Sequence, residues 1–132
     1  MNQSLPSAAR VAFLCHLIVA VLLGLGFLIV PATVGSWFDY SIATDIEPII
    51  RCFGAMILGF GGLTSYYGYR AQSWERVAYI VHGEITYLAI QTIVLLVAAI
   101  AGVGPALGNW VFAILSAILF ALFGLAFLAR PK

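Results

Sequence analysis

Charge is what this sequence has least of. Asp, Glu, Lys and Arg together make up 8% of its 132 residues, where a water-soluble domain carries roughly 25%. So few charges cannot cover a water-facing surface, which excludes an ordinary soluble domain. Six Lys and Arg against five Asp and Glu give a formal net charge of +1. That leaves no basic stripe to track phosphates, and nucleic-acid binding is excluded. Cysteine is as scarce: Cys15 and Cys52 stand in no CxxC or metal-ligand spacing. They open the first and second apolar runs, which cross in opposite directions. The two thiols are therefore expected at opposite membrane faces, beyond the roughly 7 Å between Cα atoms that a disulfide spans. Both are read as free thiols packed as small apolar groups. Catalytic signatures are missing too: no GxSxG, HExxH or P-loop occurs. Cys15 adjoins His16, but adjacent helical residues diverge, which is poor geometry for a nucleophile and its base.

What the chain has is apolar length. Hydrophobic residues make up 64% and the mean hydropathy is +1.10. Four runs reach the roughly 20 residues that cross a hydrocarbon core: 11–30, 49–69, 77–100 and 109–129. Backbone groups in lipid must pair internally, and no strict alternation marks a barrel, so each run is expected to be a helix. The first is longer than the roughly 7–15 residues of a secretory h-region and lacks a small-residue cleavage site, so it is read as a retained span. The expected fold is all-α: a single domain of four transmembrane helices in an up-down antiparallel bundle.

Three connections remain. Residues 31–48 hold Trp37, Phe38 and Tyr40 among Asp39, Asp45 and Glu47, a headgroup-level pattern that suits a short interfacial helix. Residues 70–76 are short and polar, with Ser73 placed to cap the third helix and Glu75 in its first turn. Residues 101–108 are glycine-rich and uncharged. With four spans, one side collects Arg10, Arg70, Arg76, Arg130 and Lys132, and the other only Arg51. The positive-inside rule then puts both termini in the cytoplasm, with a prokaryotic inner membrane as the expected setting. The two halves show no convincing internal repeat, which weakens an inverted-repeat transporter.

Small residues mark candidate packing faces, because helices in lipid associate through close approach. Ala113, Ala117 and Ala121, continued by Gly124, form a stripe on the fourth helix, read as bundle packing or as an interface with another subunit. Gly24 and Gly26 on the first helix and Gly54, Gly59, Gly61 and Gly62 on the second offer further contacts.

Ionisable residues inside a membrane are costly and point to function or to a defined partner. His16 and His82 lie at matching depth, each about six residues into its helix, and Glu84 lies about 3 Å deeper than His82. Thr64 and Ser65 reach the same level. Ile80, Tyr87 and Gln91 share the Glu84 face, which is expected to point into the bundle, whereas His82 sits nearly opposite beside Tyr79 and Thr86. Glu84 has three readings: a proton- or cation-coupling carboxylate, a hydrogen-bond anchor paired with His16, Thr64 or a tyrosine, or a contact with a partner or cofactor. The two histidines also suggest a haem, or one of them an axial ligand to a pigment. Arg51 is expected to pair with Glu47, four residues earlier, or with Asp39 or Asp45, or to snorkel to the interface.

The layout resembles small four-helix prokaryotic membrane proteins of uncharacterised families, in Gly24-Leu-Gly26 followed by Pro31 and in Arg51-Cys-Phe-Gly54-Ala opening a glycine-rich second helix. The resemblance spans the whole chain and implies the fold but no activity. Small multidrug transporters carry a glutamate in the first helix, which is absent here. The membrane enzymes of eicosanoid and glutathione metabolism have an Arg- and Asn-rich second-helix motif, also absent. Disulfide-generating quinone reductases need paired cysteines. The leading expectation is a non-catalytic accessory or structural subunit of a larger membrane assembly, or a homo-oligomer. The alternatives are a small oligomeric transporter or channel subunit using Glu84, with Tyr87 and Gln91 lining its path, and a haem- or pigment-binding subunit.

Overall fold

The computed structural model describes residues 4–131. Helices dominate it. α1 is Ser7–Ile29, followed by the short α2, Pro31–Ser36. α3 is one continuous helix, Glu47–Arg70, whose middle, Ile57–Leu63, is wound as a π-helix. A single 3-10 turn, Trp74–Arg76, leads to α4, Ala78–Ala101, and α5 is Ala106–Leu128. α1, α3, α4 and α5 are each long and apolar enough to cross a membrane.

Local chemistry sets the boundaries. Pro31 begins α2, where its missing N–H is an orphan in any case. α4 ends at Gly102, which takes the left-handed conformation (φ 68°) open to glycine without strain. Pro105 precedes α5, which starts three residues earlier than its apolar run suggests. The short helix expected in the first connection is α2. Ser73 makes no side-chain cap. It stands before the 3-10 turn instead, and α4 starts only after Val77, too far on for a serine hydroxyl to reach its first turn. Ser73 is bridged to Ser4, and the Leu5 N–H donates to the Gln72 carbonyl at 3.2 Å. Leu5, Trp74 and Val77 are buried there, closing that end of the helix bundle.

α1 is the central helix. It packs against the whole of α3 on one side and α5 on the other, and α4 packs against α5. Early α1 meets late α3, with Phe13 against Gly68, and late α1 meets early α3, with Gly24 against Gly54. These two helices are antiparallel. Gly24 and Gly54 are both needed at their crossing: a Cβ on Gly54 would sit 2.6 Å from the Leu28 backbone nitrogen and 2.8 Å from the Gly24 oxygen. The core is Ala9, Ala12 and Phe13 of α1, Val81 and Leu88 of α4, and Leu119, Phe123 and Ala126 of α5, with Phe13 edge-on to Phe123 at 5.2 Å.

One expectation is corrected. An up-down antiparallel bundle places consecutive spans side by side, yet α3 and α4 barely touch. Their link is not a tight hairpin. It is occupied by Trp74 and by the bridge from Ser4 to Ser73. The flank between them stays open.

Candidate functional site

At one level of the bundle all four long helices contribute to a single cluster. His16 of α1 is buried. Its Nδ1 stands 3.0 Å from Ser65 Oγ of α3 and 3.5 Å from Glu84 Oε2 of α4. Its ring lies edge-on to Phe123 of α5 at 5.7 Å. Glu84 is 8% exposed. α4 packs mainly on α5, and this carboxylate adds a polar tie from α4 to α1. Thr64 borders Glu84, but its hydroxyl donates to the Phe60 carbonyl inside its own helix.

The π-helical segment explains how His16 fits. Gly59, Gly61 and Gly62 make Ile57–Leu63 a poor α-helix, and π-turns inside α-helices recur at functional sites. Gly61 faces Ala20 and the far edge of the His16 ring, whose Nε2 would be 3.6 Å from a Cβ placed there. Any larger side chain would crowd the imidazole. This winding was not anticipated from the sequence. The only signal was the density of glycine after Leu58.

Above the cluster lies a cavity of about 490 Å³ between α3 and α4, floored by α1 and α5. His16, Tyr87 and Gln91 line one end, and Tyr40, Ser41 and Ile42 of the first connection the other. The walls between are apolar, among them Phe27, Phe53, Leu95 and Leu115. The loop end is fixed by Tyr40, whose hydroxyl donates to Asn109 Oδ1 at 2.9 Å, and by Asn109 Nδ2, which donates to the Val103 carbonyl at 2.6 Å. Gly108 makes room for the Tyr40 ring.

The predicted site residues separate into groups. Glu84, His16 and Thr64 come together. Tyr87 and Gln91 share the Glu84 side of α4 but face the cavity, with Tyr87 49% exposed, because α3 does not close over them. His82 is not part of the cluster: it is exposed, its ring edge-on to Phe127 at 5.2 Å. With His16 drawn to one side of α4 and His82 held on the other, the pair does not fit a haem bound between them within one copy of the chain. Among the described residues no group of three or more His, Cys, Asp or Glu converges on a metal position.

Arg51 binds Glu47, with Nη2 2.6 Å from Oε1, and its Nη1 donates to the Leu28 and Ile29 carbonyls at 2.6 and 3.0 Å. It therefore caps the C-terminal end of α1, and Asp39 and Asp45 are not its partners. The small-residue stripe of α5 leaves the core as it climbs: Ala113 is buried, Ala117 and Gly124 are half-buried, and Ala121 is exposed. Cys15 is half-buried and Cys52 exposed, both as free thiols. Lys132, counted with the basic side, lies outside the described residues.

Comparisons with protein-family models, with curated proteins and with solved structures find nothing that matches this chain.

Proposed function

We propose that this protein is a non-catalytic accessory subunit of a larger membrane assembly, set in a prokaryotic inner membrane with both termini in the cytoplasm. The observation that carries this reading is the open flank: α3 and α4 follow one another in the chain yet stand apart. The remaining connections are too short to form a soluble domain, so the interaction surface must be a helix face. Arg10, Arg70, Arg76 and Arg130 fall at one end of the helices, which supports the orientation. Ala121, exposed, and Gly124, half-buried, offer a second place on α5 for close helix contact. The test is native mass spectrometry on protein extracted from its own membrane in mild detergent. Co-migrating protein subunits support the reading, and a stable monomer without a companion overturns it.

A second reading is a small oligomeric transporter that uses Glu84. It is favoured by one observation: a buried carboxylate sits against a histidine at the inner end of a cavity. It requires Glu84→Gln to abolish proton-coupled flux in liposomes while the fold survives.

A further inference from the structure

The cavity between α3 and α4 is lined by two polar side chains, Tyr87 and Gln91, that stand apart from its hydrogen-bonded ones. Tyr87 and Gln91, one helical turn apart on α4, both line it. Among the described residues neither side chain has a hydrogen-bond partner, whereas Thr92 next to them is tied to the Leu88 carbonyl at 2.7 Å. Both are accessible at the cavity wall, with Tyr87 49% exposed, so their polar ends are free to bond to a molecule held there. His16 also lines the cavity, but its Nδ1 is taken by Ser65 and Glu84 and its far ring edge lies against Gly61. Two hydrogen-bonding side chains therefore stand together in a mostly apolar slot, with Tyr40 and Ser41 at its loop end. From His16 to Phe27 the slot runs eleven residues of α1, roughly 16 Å at the helical rise. Its volume falls in the range of small-molecule pockets, about 300–1,000 Å³.

The lining also defines the charge of the occupant. No Lys or Arg faces the slot, and the one carboxylate nearby is already engaged with His16. An ionised ligand would be stripped of water with no countercharge to meet it. Phe27, Phe53 and Phe112 line the body of the slot, and such walls favour flat or conjugated rings. The slot opens sideways between two helices that are each apolar enough to span a membrane.

We propose that this slot binds one uncharged, membrane-dissolved molecule with an apolar ring body and a carbonyl or hydroxyl oxygen, the oxygen held by Tyr87 and Gln91. The site uses the same open flank as the accessory-subunit reading but does not depend on any protein partner.

The test is photolabelling of the purified full-length protein in detergent with benzophenone, itself an uncharged diaryl ketone. Labelling should saturate and map to peptides carrying the slot residues, such as Phe53 and Leu95. The competitors are 9-fluorenone and fluorene, which share a ring frame and differ only in the carbonyl. Fluorenone should compete about tenfold better, the worth of one good hydrogen bond. The double variant Tyr87→Phe, Gln91→Leu, at positions that are not fully buried, should erase that advantage and leave the helical circular dichroism unchanged. Val94→Trp should block labelling by filling the slot. Unsaturable labelling spread over outward residues such as Val97 and Leu125 overturns the proposal. So does equal competition by fluorene, which would make the slot a hydrocarbon groove for acyl chains. The experiment uses the protein alone, so a missing subunit in native mass spectrometry leaves its outcome unaffected.

Discussion

His16 Nδ1 lies 3.5 Å from Glu84 Oε2, and this pair joins the central helix to the helix least buried by its neighbours. Ser65 holds the same nitrogen at 3.0 Å, so the imidazole is oriented from two helices at once. Removing the carboxylate leaves His16 with Ser65 as its hydrogen-bonding partner and α4 without its polar tie to α1. Glu84→Ala should therefore lower the unfolding free energy by about 1–2 kcal/mol, the range for interhelical polar contacts in membranes. Glu84→Gln, which keeps a hydrogen-bonding amide, should lose less than half as much. Steric-trapping or detergent-titrated unfolding reads both. Equal stability in wild type and Glu84→Ala would show that the contact does not hold α4.

Gly54 is fixed by backbone and not by side chains. The atoms that a Cβ would meet are the Leu28 nitrogen and the Gly24 oxygen, neither of which can rotate away. Gly54→Ala should push α1 and α3 apart and cost about 1–3 kcal/mol, as for overpacking elsewhere. Gly59→Ala is the control, because a Cβ there meets nothing within 4 Å, and it should cause no loss. A similar loss at both positions in thermal unfolding would mean that glycine acts here through chain flexibility and not through the helix crossing.

How much of this was legible in the sequence follows the physics of each element. Length and hydropathy mark the four long helices to within a few residues, because the bilayer imposes them. Glu84 is legible as an inward residue because lipid will not solvate it. Which histidine turns inward is not legible: α1 is apolar almost all round, so its periodicity does not point His16 toward Glu84. The alanine stripe misleads for a geometric reason. Steps of four residues advance about 40° beyond a full turn at 3.6 residues per turn, so Ala113 starts in the core and Ala121 ends outside it. The open flank is the least legible feature, since it depends on how Trp74 and Leu5 fill the link between α3 and α4.

Arg51 acts on α1 more than on its own helix. Its guanidinium reaches two carbonyls at the end of α1, where unpaired acceptors and the helix dipole favour a cation. Its ion pair with Glu47 is part-exposed, with side-chain exposures of 42% and 30%, and such pairs contribute little. Arg51→Ala should cost about 1–2 kcal/mol, and Arg51→Lys should recover only part of it, since an ammonium cannot fork between Glu47 and two carbonyls. Glu47→Gln should cost less than about 1 kcal/mol. If Glu47→Gln proves as damaging as Arg51→Ala in the same unfolding assay, the ion pair and not the helix cap is what matters.

Tyr40 closes the far end of the cavity, and its chemistry sets a pH limit on that closure. Burial raises its phenol above the ordinary value of 10.0, because the charged form loses water. Asn109 reinforces this by presenting its oxygen, an acceptor, to the hydroxyl, and a phenolate has no proton to donate to it. In the unfolded chain the phenol ionises near its ordinary value, so above about pH 10 the unfolded state gives up a proton that the folded state keeps. The contribution of Tyr40 to stability is thus complete below that pH and falls as pH rises toward the folded value. Tyr40→Phe should lose about 0.5–1.5 kcal/mol at neutral pH with the hydrogen bond, and it should remove this part of the alkaline decline. Asn109→Ala should cost more at neutral pH, about 1–3 kcal/mol, since it strands both the hydroxyl and the Val103 carbonyl. Melting temperatures of the three proteins between pH 8 and about 11 decide the matter. If wild type and Tyr40→Phe decline in parallel across that window, the Tyr40–Asn109 bond does not hold the loop over the cavity.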